Sequence, residues 1–544
     1  MPRNRSCLRS LALVGALVAG AGLAGTSGIA SAAEESAVKP AKVGAIAPVN
    51  WGACPPATLA GVPADELKFY SCARYRVPID HDNAFLGTID ISLLRHAART
   101  PDKRIGSLFL NPGGPGGSGL RLAISGTRFL QPQVVDRFDL IGFDPRGVAD
   151  SNPLRCFTTQ EDADETFARQ VAVPLSRAEI SDTLAAYRDY GEFCENNAGS
   201  LLDHMSTKDV VRDIDQLRAA VGDQKLTYVG FSYGTLIGST YAAMFPQQSR
   251  AIVIDGNVDP ALRTSDGVHY DQARAQGFEI TLDGFLRKCG EVGPKCAFSA
   301  GTPRAKFDEL RMFLRQQPIT LPSGTKVDIS MFTGSVASTL YRPARYAALA
   351  QDLQSLYDVL HPPQAQAATA VQLQTISAGR QGFADRNPDS PYLGDDSYFA
   401  VNCSDKPFPI GQEQLPALAA QAERQSPTFG RFQTFSDTAA CPVWPNKDPD
   451  AYRGPWRAQT DVPVVVIGNF FDPATQYKFS QNMADELGNA RLLSVDAFGH
   501  TILGGSLGVD RQVADYLTDL KIPAAGQVFQ PNVQPFSTST AAQG

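Results

Sequence analysis

Apolar and polar positions follow two rhythms along this chain. Between Lys68 and Leu94 the period is two, in Arg76-Val77-Pro78-Ile79 and again in Thr88-Ile89-Asp90-Ile91-Ser92-Leu93. A turn-rich stretch from Asp80 to Gly87 separates the two, which predicts an antiparallel hairpin at the start of a sheet. From Ile105 onward, short apolar runs replace the alternation: Ile105–Leu110, Phe138–Phe143, Leu226–Val229 and Arg250–Ile254. Asp209 to Val221 carries Val210, Val211, Ile214, Leu217, Ala220 and Val221 at helical spacing, with Ser206 and Asp209 as a capping pair. A second amphipathic stretch runs from Leu236 to Phe245. Strands alternating with helices in this way predict a mostly parallel sheet covered on both faces.

The rhythm breaks after Pro260. Up to about Trp456 the chain is helix-like and punctuated by prolines, with few runs suited to a sheet core. A stretch of that size between two sheet-like regions reads as an inserted, mainly helical cap. The sheet pattern resumes at Val462–Gly468, continues at Ala490–Val495 and closes with a helix from about Val509 to Leu520. The expected organisation is therefore a core in two parts, 49–260 and 457–522, a cap over 261–456 and a loose tail over 523–544.

The N-terminus changes the setting. Arg3, Arg5 and Arg9 precede an apolar run from Leu11 to Leu23, and Ala30-Ser31-Ala32 offers a small-residue cleavage site. Residues 1–32 thus read as a secretory signal peptide, giving a secreted protein with no membrane attachment after its removal. Residues 33–48 read as a flexible lead-in or pro-segment. Cys7 falls within the signal, and the eight remaining cysteines suit disulfides. Pairing Cys54–Cys72, Cys156–Cys194, Cys289–Cys296 and Cys403–Cys441 closes modest loops. A zinc site is disfavoured, since there is no Cys-x-x-Cys and no histidine lies close to these cysteines. A hydrophobic content of 43% is ample for a core, and a net charge of −7 without basic clusters argues against nucleic acid as a partner.

The candidate chemistry centres on Gly230-Phe231-Ser232-Tyr233-Gly234, which sits between a β-prone run and a helix. Glycines on both sides of a serine let a strand-to-helix turn close sharply and leave the hydroxyl clear. A second copy, Gly504-Gly505-Ser506-Leu507-Gly508, has no β-rich run before it and no histidine after it, and reads as a turn into the last helix. A serine hydroxyl needs a base. Of the six histidines, His269, His361 and His500 follow Ser232, as the order serine, acid, histidine of an elbow-type hydrolase requires. Only His500 comes just after a sheet-like run. The loop after the preceding strand supplies Asp472. For the oxyanion, the Tyr233 N–H is one expected donor. The other comes from Asn111-Pro112-Gly113-Gly114-Pro115-Gly116, where prolines lack an N–H; Gly113, Gly114 and Gly116 are candidates, and Gly114 is favoured. Asp144-Pro145-Arg146-Gly147 reads as scaffold. No cofactor and no metal are expected.

These segments, with Gly142–Gly147, Asp472-Pro473-Ala474-Thr475 and Gly499-His500, together resemble the secreted bacterial tripeptidyl aminopeptidases, relatives of proline iminopeptidases in the α/β-hydrolase superfamily. Ala400-Val401-Asn402-Cys403-Ser404-Asp405 in the cap is similar as well, while Ala497-Phe498-Gly499-His500-Thr501 departs from a more glycine-rich turn. The resemblance implies an α/β-hydrolase fold with Ser232 as nucleophile, Asp472 as acid and His500 as base. It also implies a peptide partner with a free N-terminus, from which short peptides such as tripeptides are released. Holding an ammonium in a closed site requires a carboxylate. Asp395, Asp396 and Asp405 are the candidates, against a solvated helical surface for each, and Asp405 is the amine-binding residue expected. A proline iminopeptidase or a small-ester esterase would use the same triad. A non-catalytic binding domain is the remaining alternative, and three triad members in order argue against it.

Overall fold

The computed structural model describes residues 46–362, 372–377, 391–392 and 394–537; the expected signal peptide and the lead-in as far as residue 45 lie outside them. Nine strands make one sheet: β1 (Tyr70–Pro78), β2 (Thr88–His96), β3 (Gly106–Asn111), β4 (Phe138–Phe143), β5 (Leu226–Phe231), β6 (Ser249–Asp255), β7 (Val464–Phe471), β8 (Ala490–Phe498) and β9 (Val528–Phe529). Their spatial order is β1-β2-β4-β3-β5-β6-β7-β8-β9. β1 and β2 form the expected hairpin, with Tyr70 opposite His96 and Pro78 opposite Thr88. β2 is also antiparallel to β4, and every other pairing is parallel. Strands β3, β4 and β5 are buried at each position, which explains their unbroken apolar sequences.

Seven helices support or border the rim of this sheet: α1 (Leu120–Phe129), α2 (Thr207–Ala220), α3 (Gly234–Met244), α4 (Gly267–Val292), α5 (Ser397–Asp405), α6 (Tyr477–Leu487) and α7 (Leu507–Asp519). Ala123 and Ile124 of α1 and Val513 and Leu517 of α7 share one apolar cluster with Leu140, Val229 and Val465. Ile214 of α2, Ile237 of α3 and Met483 of α6 form another with Tyr228, Ile254 and Val466. Neighbouring side chains of each strand thus feed opposite faces, giving the three-layer arrangement expected of an α/β-hydrolase. The capping pair is present, with the Ser206 hydroxyl donating to the Asp209 carboxylate (2.9 Å) at the start of α2.

Between β6 and β7 the helices collect a core of their own, including Phe278, Leu282, Phe307, Phe332, Leu349 and Phe429. Two further helices, Gln160–Ala168 and Arg177–Asn197, precede α2 in a stretch whose pattern predicted no element. The second packs Leu184 and Tyr187 against Leu415, Ala419 and Phe435 of the inserted region. The segment expected as a loose tail also contributes structure, because β9 pairs Val528 and Phe529 with Ser494 and Val495. All four disulfides join the cysteines that the short-loop pairing expects. No helix among the described residues is long and apolar enough to cross a membrane.

The parallel order has one consequence for function. β3, β5, β6, β7 and β8 all end at the same rim of the sheet, and Pro112, Ser232, Gly256, Asp472 and Gly499 are the first residues beyond them.

Candidate active site

Ser232 stands in the left-handed region at φ 55°, an uncommon conformation for a residue with a Cβ, between β5 and α3. The turn is held from three sides. The Ser232 amide donates to the Asp255 carbonyl (3.0 Å), and the Thr235 hydroxyl donates to the Ser232 carbonyl (2.6 Å). Gly230 and Gly234 face each other so closely that a Cβ on Gly230 would collide with the Gly234 carbonyl, and one on Gly234 would lie 2.7 Å from Asn111 Oδ1. The glycines are therefore demanded by packing. The second Gly-x-Ser-x-Gly copy has a different geometry: Ser506 is buried, donates its hydroxyl to the Gln530 carbonyl (2.7 Å) and begins α7.

Asp472 follows β7 directly and is almost wholly buried. Its Oδ1 accepts the amides of Ala474 and Thr475 (both 2.9 Å), and its Oδ2 accepts the Thr475 hydroxyl (3.0 Å). His500, two residues past β8, turns Nδ1 toward the two carboxylate oxygens at 3.0 and 2.9 Å. A carboxylate at Nδ1 fixes the proton there and leaves the Nε2 lone pair available to accept one. Nε2 has no hydrogen-bond partner among the described residues. The histidine loop is pinned by its neighbours: the His500 amide donates to the Tyr341 carbonyl (3.2 Å), and Asn469 Nδ2 donates to the Gly499 and Thr501 carbonyls (both 3.0 Å). Asp255, whose carbonyl holds Ser232, uses its carboxylate to hold the amides of Ile502 and Leu503 (both 2.8 Å). Burial pushes that carboxyl up to about 6. At Gly256 a Cβ would lie 3.1 Å from His500 Cε1, so the end of β6 links the serine turn to the histidine. His269 and His361 pair instead with the local acids Asp266 (2.5 Å) and Glu309 (2.6 Å) on exposed surface.

The glycine-rich loop leans onto the serine turn. A Cβ on Gly113 would collide with the Phe231 carbonyl and lie 2.9 Å from the Tyr233 amide. The Gly113 amide is taken by Asn111 Oδ1 (2.9 Å). The amides of Gly114 and Tyr233 have no such partner among the described residues. Beneath the loop, the Ser118 hydroxyl donates to Asp144 (2.6 Å), whose carboxyl burial raises to about 7. Arg146 is fully buried and donates twice to Asp213, at 2.8 and 2.7 Å. That is a bracing role for both residues.

The three cap acids fare differently. Asp405 is buried at the end of α5, and it accepts the Thr207 amide (3.0 Å) and hydroxyl (2.6 Å). The Thr207 hydroxyl also lies 2.6 Å from the Tyr233 hydroxyl. Asp405 is therefore built into the support of Tyr233, and both its oxygens are occupied. Asp396 is likewise buried, accepting from the Tyr190 hydroxyl (2.5 Å), the Tyr392 hydroxyl and the Cys156 amide (2.8 Å). Asp395 is partly accessible; its Oδ1 accepts the Ser397 amide (3.1 Å) and hydroxyl (2.5 Å), and its carboxylate presses on the glycine-rich loop, where a Cβ on Gly116 would collide with it. Nothing in the order of residues distinguishes these three acids; only the fold does.

The chain matches the family of the α/β-hydrolase fold over residues 106–293 and that of TAP-like protein over residues 426–528. It is 32% identical over 473 residues to the serine protease Hip1 of Mycobacterium tuberculosis, covering 84% of this chain and 86% of that protein. It is 28% identical over 453 residues to the tripeptidyl aminopeptidase of Streptomyces lividans, covering 80% and 78%. It is also 28% identical over 474 residues to carboxylesterase B of Mycobacterium tuberculosis, covering 84% and 86%.

Proposed function

This chain belongs to the TAP-like family of α/β-hydrolase serine peptidases, and from that premise we propose that it is an exported exopeptidase that removes short peptides, tripeptides among them, from free N-termini. Ser232 attacks the scissile carbonyl while His500 Nε2 takes its proton. Asp472 holds the imidazole in the required tautomer and stabilises the imidazolium that forms. The amides of Tyr233 and Gly114 receive the oxyanion. Collapse of the tetrahedral intermediate delivers the proton to the leaving amine and leaves an acyl-enzyme, which water activated by His500 hydrolyses. Asp395, at the glycine-rich loop, binds the substrate ammonium. Export accords with four disulfides, which persist in oxidising compartments.

One observation carries the reading: Asp472 takes Nδ1 of His500 with both oxygens while Nε2 has no partner among the described residues. The test is a matched set of anilides, a tripeptide with a free amine and its N-acetylated twin. Turnover of the first at least tenfold above the second, abolished by Ser232→Ala, supports the exopeptidase; equal turnover of the two removes it. The relative named carboxylesterase B favours a second reading, an esterase with the same residues. A short-chain ester turned over while both anilides remain intact would select it.

A further inference from the structure

The histidine loop meets the inserted cap along one short segment, residues 341–346, which follows the cap helix Ile329–Leu340. The Tyr341 carbonyl accepts the His500 amide (3.2 Å), and its ring stands edge-on to the imidazole with 5.2 Å between centroids. A Cβ on Gly499 would lie 2.6 Å from Pro343 Cδ, so this segment and the loop are in close contact. Tyr346 is wholly buried. Its hydroxyl donates to the Leu340 carbonyl (3.0 Å), and its ring meets that of Phe498 edge-on at 5.8 Å. Phe498 lies two residues before His500 and stacks at 4.4 Å on Phe471, the residue before Asp472. The cap thus grips the strand ends from which the candidate base and acid project.

The C-terminal tail reaches the same rings. After β9 it is tied to the turn before α7: the Asn532 amide donates to the Gly505 carbonyl (2.8 Å), and Asn532 Oδ1 accepts the Leu507 amide (2.9 Å). With the Ser506 hydroxyl on the Gln530 carbonyl, the second Gly-x-Ser-x-Gly copy becomes a socket for the tail. Beyond that socket, Phe536 sets its ring 5.9 Å from Phe285 of α4 and 6.5 Å from Tyr346. Phe285 and Tyr346 in turn meet edge-on at 5.1 Å. Phe536 holds φ 62°, a strained conformation for an aromatic residue, and these ring contacts offset the strain. Phe498 and Phe536 both pack against the apolar cluster of the cap. We infer that Phe536 is a positioning residue for His500: it backs Tyr346, Tyr346 holds Phe498, and Phe498 fixes the strand end that carries the histidine loop. The inference rests on the triad reading, in which His500 is the base. A displaced catalytic group loses rate steeply, about a hundredfold per ångström, and a shift relayed through two rings is smaller than that.

The experiment uses the full chain with Phe536→Ala, Phe536→Tyr and, as a control on an exposed part of the same tail, Val533→Ala. A fluorophosphonate counts the reactive serines in each preparation and also gives a labelling rate, so every kcat is expressed per labelled site. The substrate is the free-amine tripeptide anilide, or a short-chain ester if the anilide is not cut. In Phe536→Ala, kcat per site is expected to fall about tenfold with little change in KM, and the labelling rate should fall with it. Phe536→Tyr, which keeps the ring, should retain most of both, and Val533→Ala should match the wild type. Fewer labelled sites with an unchanged kcat per site would make the tail a stabilising element only, and would overturn the inference. A raised KM at unchanged kcat would overturn it too, because the tail would then act on substrate binding. A wild type that turns over neither substrate has lost the triad reading itself, and the inference falls with it.

Discussion

Asp405 and Tyr233 are joined through one hydroxyl: the side chain of Thr207 donates to the acid at 2.6 Å and lies 2.6 Å from the tyrosine oxygen. Arg263 completes the arrangement, its guanidinium 5.6 Å from the Tyr233 ring centroid and bonded to Asn402 Oδ1 (2.6 Å). A cap helix thereby holds the residue whose backbone amide faces the oxyanion in the proposed mechanism. Asp405→Asn should lower kcat about tenfold with little change in KM, the pattern of an interaction realised in the transition state. The preference for a free amine over its acetylated twin should persist. Asp395→Asn should do the reverse and collapse that preference, so steady-state kinetics on the two anilides separates the two acids.

Gly113 tests the proposed oxyanion loop from the other side. A methyl at this position would collide with the Phe231 carbonyl and force the loop away from the Tyr233 amide. The native φ of 86° adds a strain of about 1 kcal/mol for any residue with a Cβ. Gly113→Ala is expected to reduce kcat by roughly a hundredfold, the scale of one lost oxyanion donor, with a melting temperature within a few degrees of wild type. An unaltered kcat would show that the loop supplies no donor.

Asp255 predicts a pH dependence of stability. Its carboxyl is raised to about 6 by burial, above the ordinary carboxylate value, so the folded state binds a proton more tightly than the unfolded chain. Its contribution is therefore fully present below about pH 4 and lost as the pH rises through about 6, amounting to roughly 2–3 kcal/mol. His96 acts in the opposite sense. Burial, and then the Arg99 charge, lower the pKa of this ring below its usual value, against the Glu66 carboxylate, which stands 3.7 Å from Nε2, beyond hydrogen-bond distance. Its contribution is present above about pH 6.5 and lost as the pH falls through the folded value. Denaturant titrations of Asp255→Asn between pH 4 and pH 7.5 should show a stability gain over wild type that grows with pH. A constant difference would contradict the assignment.

The disulfides should differ in weight by loop length. Cys403–Cys441 and Cys156–Cys194 each span 38 residues, against 7 for Cys289–Cys296. Loop closure assigns about 4 kcal/mol to each long bridge and about 2 kcal/mol to the short one. Paired serine variants, compared by denaturant unfolding, should follow that order.

Chain order and period are the features legible in the sequence. The unbroken apolar run before Ser232 predicts a buried strand, and parallel strand order brings the ends of β5, β7 and β8 to one rim wherever the helices between them lie. That order makes Asp472 and His500 readable as a pair, and the structure holds them 2.9 Å apart. The helices Gln160–Ala168 and Arg177–Asn197 are not legible in this way, because their buried positions answer to partners far along the chain: Tyr190 meets Asp396, and Tyr187 meets Phe435. The same cause hides the difference between Asp395 and Asp405. Ten residues apart, both look like acids at the ends of a helix, and only packing puts one against Gly116 and the other under Thr207. Strand β9 has two residues, too few for any periodicity to mark.

The proposed nucleophile and its base can be tested together by covalent labelling. The enzyme would be treated with a fluorophosphonate, digested, and mapped by mass spectrometry, with Ser232→Ala and His500→Ala as companions. A single adduct is expected on the peptide carrying Ser232, absent from the first variant and formed at least a hundredfold more slowly in the second. An adduct on Ser506 or another serine, or labelling of Ser232 at an undiminished rate without His500, would contradict the triad.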